Sequence, residues 1–396
     1  MSYNRELFFR HVAQTSGAPI GLEIVKAEGI YQFDLSDRKY IDLISGFSVA
    51  NIGHSHPSVV RAVQEQAGAY MHLIVYGEFI ESPQTTYAEL LTRHLPPSLN
   101  CVYFTNSGTE ATEGALKLAK RVTGRRKIIA FNNSYHGSTH GALSVLGDEY
   151  YRNAFRPLLP GVFHFDYNDD EVVSAIDSET ACVILETVQA ESGVTAPSKK
   201  WLQALRQACT EHGVLLILDE IQAGFGRTGT LWAFEQFDIV PDVLLLGKAL
   251  GGGMPLGAFI ADKQVMQKLS FDPVLGHITT FGGHPVSCAA GKTAFEVLIS
   301  ANYFSSVKEK EERFMRQLNH PAIKEKKHFG LWASLQFESK EITRRIIHNC
   351  IAAGLITDWF LFAPDRLRIA PPLSIELNEI DEACQLILKA IQEEYA

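Results

Sequence analysis

The chain has 396 residues, too many for one ordinary small domain and a length that suits a large domain joined to a smaller one. Hydrophobic residues make up 46%, as in globular proteins, and no apolar run reaches the roughly 20 residues that a membrane-spanning helix needs. A net charge of −9 argues against nucleic acid or an anionic membrane surface as the main partner.

The N-terminus, MSYNRELFFRHVAQ, lacks the apolar core of a signal peptide. Six cysteines, at 101, 182, 209, 288, 350 and 384, are scattered and form no CxxC pair, which predicts buried, reduced thiols and a cytoplasmic location. Up to about Asn51 the pattern IVKAEGIYQFDLSDRKYIDLISG reads as a hairpin, with Gly29 and Asp37 as turn residues. From Tyr87 to about Gly283 strands alternate with helices, which predicts an α/β unit with a mostly parallel sheet. KIIAF, ACVILE, VLLILD, VLLLGK and GAFIA are its strand candidates. A helix follows at VSCAAGKTAFEVLIS, and the tail returns to strands at GLWASLQFE and RLRIA before a last helix. No internal repeat or low-complexity linker interrupts the chain.

Three strand ends carry chemistry. In PDVLLLGKALGGGMPLGAFIA the apolar run Val243 to Gly247 ends in Lys248, ahead of Gly251, Gly252 and Gly253. An amine there loses solvation, which favours its neutral, nucleophilic form, although a lone strand-end lysine more often points into water. In HGVLLILDEIQAGFGRTG the run Val214 to Leu218 ends in Asp219. Ligands of open α/β sheets collect at the carboxyl ends of strands, so this acid can meet Lys248 there; a helix cap or surface carboxylate is its alternative. In CVYFTNSGTEATEGALKLAKRVTG a strand leads through Ser107 and Gly108 to a helix from about Thr109, with Ala111, Ala115, Leu118, Ala119 and Val122 at helical spacing. Such an N-terminus can cradle a phosphate, although Ser and Thr also cap helices that bind nothing. A lysine, an acid and a phosphate cradle are the set that pyridoxal 5'-phosphate requires.

On these blocks, above all LDEIQAGFGRTG and PDVLLLGKALGGGMPLGA, the chain resembles the class III pyridoxal-phosphate-dependent aminotransferases, and among them the acetylornithine and ornithine types. The likeness runs from SGFSVANIGHSHP through LRIAPPL. It implies fold type I: a large cofactor-binding domain over 52–285, and a smaller α+β domain made of 1–51 and 286–396. It implies that Tyr135, in SYHGST, stacks on the cofactor ring, that Gln222 lies near the ring's phenolic oxygen, and that Glu186 supports the ring region. It implies a homodimer in which Thr280, with Thr279 as a weaker companion, reaches the phosphate of the neighbouring subunit. Arg368, in LRIAPPL, matches an arginine that clamps a substrate carboxylate, and Glu191, in ETVQAESGV, a glutamate that pairs with it until a 2-oxo acid binds. Phe47, in SGFSVANIGH, holds a specificity position, where an aromatic ring without a hydroxyl points to a more apolar donor.

Two departures stand out. Thr187 replaces a proline that usually follows the glutamate, a change expected to affect backbone rigidity more than chemistry. Ser138 stands where related enzymes carry an arginine for a second carboxylate, which leaves Arg152, Arg156 or no residue for that task. The function implied is the ping-pong transfer of an amino group, from the terminal amine of an acetylornithine-, ornithine- or ω-amino-acid-like donor, to a 2-oxo acid such as 2-oxoglutarate. Lys248 acts as general acid and base, and Asp219 holds the ring nitrogen. An aminomutase of the glutamate 1-semialdehyde type is the alternative, and Gln189 and Glu191 speak against it. A cofactor-binding scaffold without activity would lack the lysine or the acid, and both are present.

Overall fold

The computed structural model describes residues 2–395. In chain order its strands are β1 (Ile24–Glu28), β2 (Tyr31–Asp34), β3 (Lys39–Asp42), β4 (Cys101–Thr105), β5 (Lys127–Phe131), β6 (Val162–Phe165) and β7 (Thr180–Glu186). They continue with β8 (Leu215–Asp219), β9 (Val243–Leu246), β10 (Gly257–Ala261), β11 (Glu325–His328), β12 (Ala333–Gln336), β13 (Leu355–Ile356) and β14 (Arg366–Ile369). The central sheet has seven strands in the order β4-β10-β9-β8-β7-β5-β6. Only β10 is reversed, antiparallel to both β4 and β9, so the carboxyl ends of the other six strands share one rim.

The sheet is apolar on both faces because helices cover both. Successive side chains point to opposite faces, and the burial follows that alternation. Cys182, Ile184, Ile217, Val243, Leu245 and Phe259 pack on one side with Ala111, Ala115, Leu118 and Ala119 of the helix Gly108–Thr123. Val183, Leu185, Leu216, Leu218, Leu244 and Leu246 pack on the other with Trp201, Leu202 and Leu205 of the helix Lys199–His212. The first helix starts at Ser107, whose side chain accepts from the Glu110 N–H, and stops at Gly124, whose φ of 70° is a left-handed cap that glycine adopts without strain. Its middle sits so close to the sheet that a Cβ on Gly114 would lie 2.3 Å from Phe259 Cε1.

The expected N-terminal hairpin is a three-stranded meander: β1 pairs with β2 and β2 with β3, with positive φ at the turn residues Gly29 (56°) and Asp37 (61°). β13, from the far end of the chain, adds to β3 in parallel. Tyr31 also donates to Glu379 of the last helix, Leu377–Tyr395, at 2.7 Å. β11, β12 and β14 form a separate antiparallel sheet. All six cysteines are unpaired, five of them buried and Cys101 half-buried. Among the described residues no helix is long and apolar enough to cross a membrane.

Gly114→Ala tests the close approach of helix and sheet. The methyl overpacks against Phe259, which stacks on Tyr103 at 4.8 Å between ring centroids and so has little room to yield. Overpacking costs about 1–3 kcal/mol, and alanine's better helix propensity offsets about 1 of it. A net loss of up to about 2 kcal/mol is expected in urea unfolding.

Candidate active site

The common rim brings the chemistry-bearing residues together. Ser107 follows β4, Tyr135 and His136 follow β5, Glu186 and Asp219 end β7 and β8, and Lys248 follows β9. Gly108, Thr109, Tyr135, Glu186, Asp219, Gln222 and Lys248 line one cavity of about 250 Å³. Ser107 caps the helix that ends on it. Thr280 is elsewhere: it lies exposed on the loop before the helix Pro285–Ala301, away from this chain's own cavity. Thr279 lines a different cavity with Tyr103 and Phe104.

The two strand-end acids face each other, since Glu186 and Asp219 are register partners across the β7–β8 pair. Burial, with the Asp219 carboxyl beside it, pushes the Glu186 carboxyl up to about 8. Glu186 also accepts from the N–H groups of Tyr135 and Ala190, each at 2.9 Å. Asp219 is held by the Ile221 N–H at 2.9 Å and by His136, whose Nδ1 donates to Oδ2 at 2.7 Å. His136 follows Tyr135 in the sequence, but nothing in the local pattern pairs it with an acid 83 positions away. Lys248 adopts a left-handed φ of 49°, a conformation uncommon for a side-chain-bearing residue. Burial lowers its amine from 10.5 to about 8, although Glu191, Asp219 and Glu186 pull the other way.

Next to the cavity a second constellation is buried. Arg368 Nη1 and Nη2 donate to Glu191 Oε1 at 3.1 Å each, and Nη2 to Oε2 at 2.9 Å. Its Nε donates to Asp358 at 2.9 Å. Its guanidinium carbon lies 4.2 Å from the centroid of the Phe360 ring and 5.0 Å from that of Phe47, so Phe47 touches the arginine. Burial raises the Glu191 carboxyl, but the guanidinium against it outweighs that and leaves it below its ordinary value. Burial lifts Asp358 to about 6 despite its bond to the same arginine. Gln222 bridges the two constellations, donating to Glu191 at 3.4 Å. Asp358 and Phe360 lie on the segment between β13 and β14, and no spacing rule links them to Arg368 before the chain is folded.

Thr187 does more than alter rigidity. Its hydroxyl donates to Glu220 Oε1 at 3.0 Å, and its N–H donates to the Asp219 carbonyl at 3.1 Å; a proline here lacks both donors. Glu220 is fully buried and also accepts from the Ala233 and Phe234 N–H groups. Burial pushes its carboxyl to about 7, and these three donors restrain the rise. Arg152 and Arg156 both bind Glu149, at 2.7 and 2.6 Å, and neither lines the cavity that holds Lys248.

The model of the family described as aminotransferase class-III matches residues 12–391. The chain belongs to the class III aminotransferases. An acetylornithine aminotransferase from Methanopyrus kandleri is 39% identical over 98% of both chains. The solved ornithine aminotransferase of Toxoplasma gondii, with pyridoxal phosphate partly occupying its active site, superposes with a TM-score of 0.90 at 29% identity over 99% of this chain and 96% of its own. An (S)-enantioselective omega-transaminase from Thermomicrobium roseum gives 0.90 at 26% identity, over 99% and 98%. These enzymes are aminotransferases, which favours transfer between two substrates over the aminomutase alternative.

The class works with pyridoxal 5'-phosphate, and the residues here fit that group. A helix N-terminus faces the cavity, and the Gly108 and Thr109 N–H groups belong to its first turn, where an intrahelical acceptor is lacking. A Cβ on Gly108 would come 2.6 Å from Ile221 Cδ1, so any side chain there would press on Ile221 of the cavity wall. Asp219 presents an acid, Lys248 an amine, and the Tyr135 ring forms a wall.

The lowered Lys248 amine has a direct readout. In the cofactor-free protein, the rate at which a small acylating reagent modifies Lys248 should rise with pH, reach half its maximum at about 8 and then level off, because half of the amine is neutral there. A rate still climbing toward 10.5, followed by peptide mapping, contradicts the burial argument.

Proposed function

We propose that this chain moves an amino group from the end carbon of a primary-amine donor to a 2-oxo acid such as 2-oxoglutarate, in two half-reactions on one cofactor. The convergence of Lys248 and Asp219 on one cavity, beside the N-terminus of the helix Gly108–Thr123, carries this reading. The names of two relatives give acetylornithine and ornithine as their substrates, and the donor of this chain is taken to share with those the reacting terminal amine rather than the group at the far end.

When bound, pyridoxal phosphate supplies an aldehyde for the amine and a ring that draws electrons from the bond being broken. Lys248 would hold the group through its amine and, when that amine is free, its Nζ would carry a proton to and from the donor's carbon as general acid and base. Asp219 would hold the ring nitrogen, and His136 fixes the carboxylate's orientation. Ser107, Gly108 and Thr109 hold the phosphate, and Tyr135 and Gln222 orient the ring. Glu186 anchors the Tyr135 backbone and so sets the height of that ring. Arg368 receives the carboxylate of the 2-oxo acid after Glu191 leaves it; planar guanidinium groups bind carboxylates bidentately, so one anion can replace the other. Phe47 stacks on the arginine and lines that approach.

The site is completed by a second copy of the chain, with Thr280 reaching the partner's phosphate. Supporting this, Met71, Phe79, Ile80, Val274, Ile278 and Phe281 expose apolar surface on two neighbouring segments, which meet where His72 packs on Phe281 at 4.7 Å between ring centroids. Large exposed apolar side chains gathered on neighbouring segments are commonly covered by a partner.

Lys248→Ala should abolish multiple turnover, with the steady-state rate down by about 10²–10⁴-fold or more; an unaffected rate sinks the reading. Arg368→Ala should lower kcat/KM for 2-oxoglutarate by about 10–100-fold, the worth of a charge-assisted bidentate contact. Stopped-flow comparison should show a smaller loss in the half-reaction with an amine that lacks a carboxylate.

A further inference from the structure

A second cavity adjoins the one that holds Lys248, and the two share Tyr135 and Ser138 as a common wall. It has a volume of about 320 Å³, and Leu143, Leu146, Phe155 and Leu361 make most of the remaining lining. The polar groups on it are largely engaged with one another. The Tyr135 hydroxyl lies 3.1 Å from Ser138 Oγ, and the Tyr151 hydroxyl donates to the Leu361 carbonyl at 3.1 Å. His140 lines it too, but no lysine or arginine does. The two arginines nearest in the chain are already used: Arg152 binds Glu149 and the Leu146 carbonyl, and Arg156 binds Glu149.

The cavity is also tied to the buried ion pair. The Leu361 N–H donates to Glu191 Oε2 at 2.8 Å, so one backbone segment walls this cavity and holds the glutamate on Arg368. While that pair is closed, the arginine is not free for a carboxylate on the donor. A donor with its amine at Lys248 and its far end past Ser138 therefore meets apolar carbon, three engaged hydroxyls, the His140 ring and no lysine or arginine of this chain. A carboxylate placed there loses its water without gaining a partner, which is costly, whereas an alkyl or aryl end gains from burial.

We propose that this cavity receives the far end of the amino donor and selects donors whose far end is uncharged, alkyl or aryl amines over those ending in a carboxylate. This rests on the reading of Lys248 as the reacting amine and narrows the donor within it. Ser138 is then the specificity-determining residue between the two cavities.

The test compares the holoenzyme with n-hexylamine and 1-phenylethylamine against ornithine and 4-aminobutyrate, following loss of the cofactor's absorption in the amine half-reaction. Wild-type enzyme should show kcat/KM at least tenfold higher for the uncharged-ended pair. Ser138→Arg should reverse or erase that ratio, chiefly through KM. Phe155→Ala, at an exposed edge of the cavity that tolerates substitution, should raise KM for hexylamine several-fold with kcat little changed. L-glutamate serves as the control for the underlying reading. If glutamate reacts and the carboxylate-ended donors match or exceed the uncharged ones, the cavity proposal falls alone. If glutamate fails as well, the assignment of the transfer reaction falls first and the cavity proposal with it. A folded Ser138→Arg enzyme with an unchanged ratio overturns the role of Ser138.

Discussion

Two carboxyl groups on adjacent parallel strands, Glu186 and Asp219, meet as register partners in the interior, and much of the surrounding structure answers to that adjacency. Like charges at such close quarters in a dry place cannot both persist without help. The protein resolves the conflict by giving the two acids different neighbours. Burial and the Asp219 carboxyl push Glu186 upward against its two backbone donors, while Asp219 receives an imidazole and a backbone N–H. One inter-strand step separates them, and that is enough to make one a scaffold for Tyr135 and to leave the other, on the function proposed, as the partner of the cofactor's ring nitrogen. The Lys248 amine is drawn into the same field, which moderates the lowering that its burial imposes.

The same logic reappears a few ångströms away. Arg368 is satisfied on several sides, by Glu191, Asp358 and two aromatic faces. A buried ion pair of this kind adds little net stability, because its desolvation offsets most of its attraction. Its value is as a place-holder. It keeps an arginine ordered and charged in the interior, and on the function proposed an external carboxylate takes the place of the internal one.

The strand-end residues were legible before folding because period and position coincide in a parallel sheet. An apolar run that stops at Asp219 or Lys248 names both the strand and the rim, and the alternation of core residues across the sheet follows from the same runs. The capped helix at Ser107 was legible for a similar local reason. What could not be read were pairings set by long-range register: His136 with Asp219, Asp358 with Arg368, and Thr187 with Glu220. The role of Thr187 belongs with these, because the sequence shows the loss of a proline but not the buried acid that gains a hydroxyl. The parallel addition of β13 to β3 belongs to the same class, since two residues of strand carry almost no pattern of their own.

The reversed strand β10 has a consequence for distance. It lies between β4, which leads to the phosphate turn, and β9, which leads to the lysine. Two inter-strand steps put those endpoints about 10 Å apart. Because β10 runs the other way, the rim between them is opened by its first residue, Gly257, rather than by a strand's outgoing loop. A Cβ on that glycine would come 2.1 Å from the Ser107 carbonyl oxygen. The strand thus works as a gauge: it sets the span between the Ser107 turn and the Lys248 amine while its first residue adds no side chain, and whatever bridges that gap is measured against backbone.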